Sequence, residues 1–478
     1  MRISFLTFIG LLSAYCGFSQ SFNAIHGSNY AGALGASNNP ASIVNTPYKW
    51  DITLFAVQYQ TITNAIKGRN FPSFLMQPNS PFIGSAGDFS RKAAGNFNIR
   101  LINARIALDK SRAIAFGINL HAYTQATSSP LNYNDSVRGP RTFLFYNAQN
   151  RELSANLAGS AWMEVFATYG RTLFDRSNDR LNAAITVKML KGLSGAFVDV
   201  RGLRVEKTTT DDVDIYSAVN GVASYGYSAN LESSTHSNGL SANPADLFRK
   251  SKMGLAIDLG IEYLIKEDGF NDVFADNSND YLWKIGASLL DLGWNNYAYS
   301  SQSRTVSSLK DGVTGLVLQE KFGRVKNISA FNDSLSTIIN QSALNTGNFS
   351  IMNPARLKIN VDRYLYGSFY INGDLSINLS SLAAHDNLYV QESKVLTITP
   401  RWETRTFGFY LPMQYNRQGN VWIGGALKAG PLLLGTHNLL NSFSKNNNIS
   451  GGAYLALIIR PSEMMKDARN KQYECPSY

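Results

Sequence analysis

The chain has 478 residues, a formal net charge of +10 and two cysteines; 44% of its residues are hydrophobic, 16% are charged and 38 are glycine. That is less charge than the ~25% usual in soluble domains, and too much apolar and aromatic material for a disordered chain. A mean hydropathy of −0.15 excludes a bundle of membrane-spanning helices.

Residues 1–19 read as a secretory signal. Arg2 supplies a short basic region, Ile3 to Leu12 an apolar run too short to span a bilayer, and Gly17 and Ser19 the small residues that precede a cut before Gln20. Cys16 raises a lipoprotein alternative, but Tyr15 stands where such signals carry a small residue. Cleavage removes Cys16 and leaves Cys475 as a lone tail thiol. No internal disulfide is then possible, so an exported chain needs a large core or a continuous hydrogen-bonded ladder.

Residues 20–49 do not alternate. They are rich in small residues: Ala31, Gly32, Ala33, Gly35, Ala36 and Ser37, followed by Asn38-Asn39-Pro40-Ala41. Two readings stay open, a segment folded inward as a plug and a disordered arm.

From residue 50 onward the pattern has period two. Ile102, Ala104, Ile106 and Leu108 alternate with Asn103 and Arg105, and Ile114, Phe116, Ile118 and Leu120 with Gly117, Asn119 and His121. The polar turn Asp109 to Arg112 between them makes a hairpin. The same alternation runs through 181–189, 253–263, 357–361, 369–377, 407–413, 421–427 and 453–459. Each strand therefore has one apolar face and one polar face, and the polar face carries full charges such as Arg356, Lys358 and Asp362. Strands of about 9–13 residues, apolar outside and polar inside, repeated a dozen or more times, predict a transmembrane β-barrel. Closure is required, because an open edge in lipid leaves donors and acceptors unpaired. The alternative is a secreted sandwich or solenoid with one dry face. Against it stand the strand lengths and the absence of a fixed repeat.

Trp50, Trp162, Trp283, Trp294, Trp402, Tyr364, Tyr366, Tyr415 and Trp422 are candidates for interfacial girdles. Asp109–Arg112, Asp175–Arg180 and Arg417–Asn420 are short turns, whereas 61–96, 124–160, 207–250 and 295–350 read as long polar loops. In the last of these Asn332 or Asp333 is placed to cap a helix, with Leu335, Ile338, Ile339 and Ala343 on one face. The chain divides into a signal (1–19), a hatch segment (20–49), a barrel (50–460) and a polar tail (461–478), which carries Glu463, Lys466, Asp467 and Arg469.

Gly32-Ala33-Leu34-Gly35-Ala36-Ser37-Asn38-Asn39-Pro40-Ala41-Ser42 resembles the N-terminal Asn-Pro-Ala hatch motif of the FadL-like outer-membrane proteins, which include fatty acid transporters and PorV-type secretion accessory barrels. Asp258-Leu259-Gly260-Ile261-Glu262-Tyr263, Ser288-Leu289-Leu290-Asp291-Leu292-Gly293, Thr399-Pro400-Arg401-Trp402-Glu403 and Gly430-Pro431-Leu432-Leu433 resemble an uncharacterised Bacteroidota branch of that superfamily. The resemblance implies an antiparallel barrel of about 14 strands with an N-terminal plug, in which Gly32, Gly35, Asn38, Asn39 and Pro40 are the hatch residues. No ligand-contacting residue of the transporters maps onto this chain.

Enzymatic chemistry has little to stand on. The five histidines His26, His121, His236, His385 and His437 show no metal-ligand spacing. His121, on the polar face of a strand, reads as an ordinary interior histidine. Gly192-Leu193-Ser194-Gly195 lacks the last glycine of a nucleophile elbow, because position 196 is Ala. Asp276-x-Ser278-x-Asp280 lacks the glycine and glutamate of a calcium loop and reads as a solvated acidic turn. Lys and Arg are spread along the chain, so nucleic acid is not implied; loop Lys and Arg near the headgroups of anionic outer-membrane lipid explain the charge, and interior Lys and Arg would also favour anionic solutes.

The expectation is a non-enzymatic barrel in a Gram-negative outer membrane, without cofactor or metal. It passes a small hydrophobic or amphipathic solute, or else serves as an accessory barrel for other outer-membrane proteins or surface lipoproteins. The barrel interior separates the two: a continuous apolar pocket fits transport, paired Arg, Lys, Asp and Glu fit an accessory.

Overall fold

The computed structural model describes residues 22–68, 82–148, 151–210, 213–231, 248, 251–266, 281–310, 313–323, 325, 328–383, 388–392, 394–416, 421–444 and 450–461. The signal, Cys16, the acidic loop around Asp276, the turn at 417–420, His236, His385 and the tail with Cys475 lie outside the described residues.

The alternating segments build a closed 14-strand antiparallel barrel. Its strands are β1 (Trp50–Thr63), β2 (Gly87–Ala107), β3 (Arg112–Tyr133), β4 (Leu153–Asp175), β5 (Asp179–Thr210), β6 (Met253–Ile265) and β7 (Trp283–Ala298). They continue as β8 (Asn348–Met352 and Arg356–Tyr366), β9 (Phe369–Asn378), β10 (Val395–Glu403), β11 (Phe407–Tyr410 and Met413–Asn416), β12 (Val421–Ile423 and Gly425–Ala429), β13 (Leu432–Thr436) and β14 (Gly451–Ile459). Each strand pairs with its sequence neighbours. β14 then pairs with β1, through Leu455↔Val57 and Ala453↔Tyr59, and the sheet has no free edge.

The alternation read in the sequence is the inside–outside alternation of this wall. On β6, Met253, Leu255, Ile257, Leu259 and Ile261 are exposed, while Asp258 and Glu262 are buried. On β8, Arg356, Lys358, Asn360 and Asp362 are buried. The barrel is a globular protein turned inside out: its leucines face outward and its charges form the core. Among the described residues the buried charged groups are eight Lys or Arg and nine Asp or Glu. That near balance corrects the expectation of an anion-attracting interior.

One strand breaks the period. On β7 both Leu290 and Asp291 are buried, and the register against β6 shifts there. Asp291 has φ +57, a left-handed conformation that Asp tolerates better than most residues. This bulge turns the Asp291 carboxylate into the interior and returns Trp294 to the outer face. Trp283 and Trp294 on β7 then bracket about 28 Å of barrel height, at ~3.3 Å per residue and ~40° tilt, close to an apolar band of ~25 Å. Trp294, Tyr366 and Tyr415 are exposed as girdle residues should be. Trp162, Tyr364 and Trp422 are not: all three are buried, which corrects their assignment.

At one end the connections at 108–111 and 176–178 are tight turns. In the first, Asp109 accepts from Arg112 Nε (2.6 Å) and from the Ser111 N–H (2.8 Å). The Arg112 bond first, then those from Ser111, hold its carboxyl at about 2. A depressed carboxylate stabilises the fold above its unfolded pKa, so this turn keeps its geometry above about pH 4 and loosens only as pH falls towards 2.

At the other end, strands replace much of what the sequence read as loop. β2, β3, β4 and β5 run 21, 22, 23 and 32 residues. Nine to eleven residues are enough to cross a bilayer, so these strands are about twice that length or more. They are joined there by strands Val213–Val219, Val222–Tyr227, Arg304–Leu309 and Ile339–Leu344, and by helices Pro140–Asn147, Gly315–Phe322 and Ile328–Ser336. Small cores form around Leu144, Leu153 and Val205, and around Val306, Val313 and Ile338. Helix Ile328–Ser336 corrects the helix expectation: Asn332 lies in mid-helix, not at its cap, and Ile339 and Ala343 belong to a strand.

Candidate functional site

The interior is filled in three layers, and the lowest is residues 22–48. This segment has no strand period and folds as three short 3-10 turns, Asn23–Ile25, Gly32–Ser37 and Pro40–Ile43. Pro40 starts the third turn, where its missing N–H costs nothing, and the Asn39 side chain caps it by accepting from the Ala41 N–H (3.0 Å). Gly32 has φ +58, and a Cβ there would sit 2.3 Å from Asp51 Oδ1. Its absence lets the Ala33 N–H donate to that carboxylate at 2.6 Å. Gly35 makes room within the segment: a Cβ would lie 2.6 Å from Ser42 Oγ.

The five residues singled out by the hatch motif are all buried. Asn38 accepts from Lys358 Nζ at 2.9 Å through its side chain and from Ser288 Oγ at 2.8 Å through its carbonyl. Asn39 Nδ2 donates to the Ile261 carbonyl (2.8 Å). The wall is cut to receive it. Cβ atoms at Gly260 and Gly286 would lie 2.2 Å from Asn39 Oδ1 and 2.8 Å from Asn39 Nδ2. Both glycines are therefore notches for one side chain.

Wall cations hold the segment by its backbone. Lys284 Nζ donates to the Gly27 carbonyl (2.6 Å), Arg100 to that of Leu34 (3.3 Å) and Arg105 to that of Ile43 (3.0 Å). Arg401 reaches Gly27 and Arg460 reaches Tyr30. Several of these cations also have carboxylate partners: Arg105 holds Asp51 at 2.6 Å, and Arg401 holds Asp362. Because the contacts go to main-chain carbonyls, the segment's own side chains can stay small.

Above it lies an ionic layer. Lys188 Nζ bridges Asp258 (2.8 Å) and Asp291, and Arg356 bridges Asp291 and Glu392 (3.3 Å). The Asp291 N–H donates to Asp258 Oδ1 at 2.6 Å. Two motifs quoted for the family resemblance thus meet in one cluster, through the β7 bulge. Asp291→Asn should keep that bulge and lose only charge, whereas Asp291→Val should lose both; a lower heat-unfolding temperature for Val than for Asn checks this.

The upper layer is aromatic. Trp162 stacks on His121 at 5.1 Å and on Tyr123 at 5.4 Å, beside Phe197, Tyr297 and Phe349. Leu388–Tyr389 pairs in parallel with Ile351–Met352, and Tyr123 Oη donates to Glu392 Oε1 (2.9 Å). His121 lies 3.6 Å from Glu164, inside the barrel as read. Gly192 and Gly195 face Tyr297, where Cβ atoms would approach its ring to 2.7 and 2.6 Å. They are packing glycines, which accounts for the elbow-like spacing.

A cleft beside Tyr30, Glu403, Lys428 and Arg460 holds about 10 Å³, roughly one water. Among the described residues no group of three or more His, Cys, Asp and Glu is placed to hold a metal. Sequence reasoning singled out the motif but missed Lys188, Lys284 and Glu392. The signal for Lys188 was present: a lysine between apolar residues of an alternating strand.

Several solved structures are similar to the chain, three of them as follows. One is the toluene transporter TbuX of Ralstonia pickettii, at TM-score 0.39 and 11% identity, covering 93% of this chain and 98% of that one. Another is a deltaS2S3 mutant of TodX, a monoaromatic hydrocarbon channel of Pseudomonas putida, at 0.37 and 8%, covering 90% and 94%. A third is a FadL homologue of Pseudomonas aeruginosa, at 0.25 and 10%, covering 92% and 98%. The barrel itself rests on its own strand pairing. No curated protein sequence matches the chain. Residues 40–437 do match a family model, from the Asn38–Pro40 turn to the end of β13, and the chain accordingly belongs to the Family of unknown function (DUF5723).

Proposed function

We propose that this chain is an integral barrel of a Gram-negative outer membrane and a passive transporter of a small hydrophobic or amphipathic solute, with residues 22–48 as its plug. The exposed leucine, valine and aromatic wall supports the membrane placement, since such a surface is not stable in water. The observation that carries the gate is the division of labour between wall and plug. β14 closes on β1 without any strand from residues 22–48, so the plug can leave its seat and the barrel stays closed on itself.

Leaving is not free. Charge-assisted hydrogen bonds are worth about 1.5–3 kcal/mol each. Five wall cations grip plug carbonyls, so full ejection costs on the order of 10 kcal/mol. Opening is therefore partial, or driven by a partner. Deleting residues 24–42 should raise conductance in planar bilayers; a deletion barrel as silent as the wild type would remove the gating role. The barrel itself is checked on gels, where unboiled protein should run differently from boiled protein.

A second reading is favoured by one observation: the ionic layer is paired, Lys188 with Asp258 and Asp291, and Arg356 with Asp291 and Glu392. A permanently sealed barrel would act through its outer surfaces, as an accessory to other outer-membrane proteins or surface lipoproteins. The strands projecting beyond the wall, with Phe145 and Leu316 exposed on their helices, give it surface for that.

A further inference from the structure

We propose that the outer wall carries a binding groove for one acyl chain of an outer-leaflet lipid, an inference that rests on the outer-membrane reading above. The groove lies where β12, β13, β14 and β1 run side by side, with a volume of about 610 Å³. Register explains its shape. One row across these strands reads Gly425, Thr436, Ala453 and Tyr59; the row below it reads Leu427, Leu434, Leu455 and Val57. Small residues thus floor a depression, leucines bound it below and Tyr59 walls one side. The Thr436 hydroxyl is turned back onto the Gly452 carbonyl (2.8 Å), which leaves its methyl on the floor.

The chain itself roofs the other side. After β13 the short helix Leu439–Phe443 folds over the outer wall, and a Cβ at Gly425 would lie 2.9 Å from Leu439 Cδ1. Leu440 and Phe443 on this helix are exposed, so it continues the apolar surface. Asn438 and Asn441, bonded to the Ser450 carbonyl, pin the helix and put the polar groups at the groove's upper end.

That polarity selects the occupant. The groove sits at the end of the barrel opposite the tight turns, which in outer-membrane barrels is the outer face. Its floor is apolar and it opens sideways into the lipid band; apart from the Tyr59 and Thr436 hydroxyls, the nearest polar side chains are Asn438 and Asn441 above it. A hydrocarbon chain hanging from a headgroup at that upper end matches on every side. A chain already in lipid gains nothing from leaving water, so packing against a fitted floor is what distinguishes this chain from its neighbours.

The test uses full-length protein extracted in mild detergent, stripped of lipid and titrated with lipid A under native mass spectrometry. Wild type should take one lipid well ahead of any further ones. Thr436→Leu with Ala453→Leu, which fills the floor, should cut first-lipid occupancy about tenfold, while Ala287→Leu on the outer face of β7 leaves it unchanged. Variants are used only if they keep heat-modifiable mobility, and Ala453→Leu alone replaces the pair if it does not. Equal occupancy in wild type and filled variant overturns the proposal. So does a dimer mass with no retained lipid, which would make the groove a contact between copies. Protein recovered without detergent defeats the outer-membrane reading itself, whereas an inserted barrel without a preferred first lipid defeats only the groove.

Discussion

Gly260→Val should convert a silent barrel into a conducting one. The substitution is well suited to the wall, since valine is a strand former and β6 is an uninterrupted strand. It is ill suited to residues 22–48 inside the wall. A Cβ at position 260 would lie 2.2 Å from Asn39 Oδ1 and 2.8 Å from Pro40 Cδ, and valine adds two methyls beyond it. Neither neighbour can yield by itself, because Asn39 is bonded to the Ile261 carbonyl and caps the turn that Pro40 begins. The Asn38–Ile43 turn must lift. We expect conductance at least about tenfold above wild type in planar bilayers, with heat-modifiable mobility kept. Gly286→Val attacks the same side chain from β7 and should behave alike. If both variants stay silent while Asn39 becomes accessible to solvent probes, the plug does not gate.

Arg401→Met should give the largest loss of stability of any single substitution in the interior. Arg401 is almost wholly buried; it holds Asp362 through both terminal nitrogens, lies 3.3 Å from Glu403, donates to the Gly27 carbonyl and sits 4.4 Å over the Tyr370 ring. Removing it leaves Asp362 with only Tyr281 and Asn372 as donors. Breaking one partner of a buried pair costs about 3–5 kcal/mol, whereas replacing both by apolar groups is often nearly neutral. The temperature at which the unboiled gel band converts should fall sharply for Arg401→Met and recover most of the way for Arg401→Met with Asp362→Leu. A single variant that converts at the wild-type temperature would show that this pair does not hold the interior together.

How much of this was legible in the sequence follows from what surrounds each strand. Where a strand has lipid-like apolar exposure on one face and the ionic core on the other, as in β6 and β8, alternation is strict and was readable residue by residue. Beyond the apolar band both faces of β2 to β5 meet water or small satellite cores, the contrast disappears, and strand reads as polar loop. The same logic misplaced Trp162 and Trp422. Tryptophan in an alternating strand is equally at home in a girdle or in the interior, and only register decides. Asn39 and Pro40 were legible as a motif, but Gly260 and Gly286, which shape their seat, looked like any strand glycines. Their meaning depends on a neighbour more than 200 residues away.

The long-range grip on residues 22–48 has a consequence for how the molecule is made. Its bonds run to Arg100 and Arg105 on β2, to Ile261 on β6, to Lys284 and Ser288 on β7, to Lys358 on β8, to Arg401 on β10 and to Arg460 after β14. The last of these spans 430 residues. No partial wall presents this set of donors and acceptors, so residues 22–48 have nowhere to settle until the final strand has paired with the first. Contacts of such sequence separation form late and slowly. Residues 22–48 must therefore be kept unfolded, and out of the way of the closing seam, for the whole of assembly.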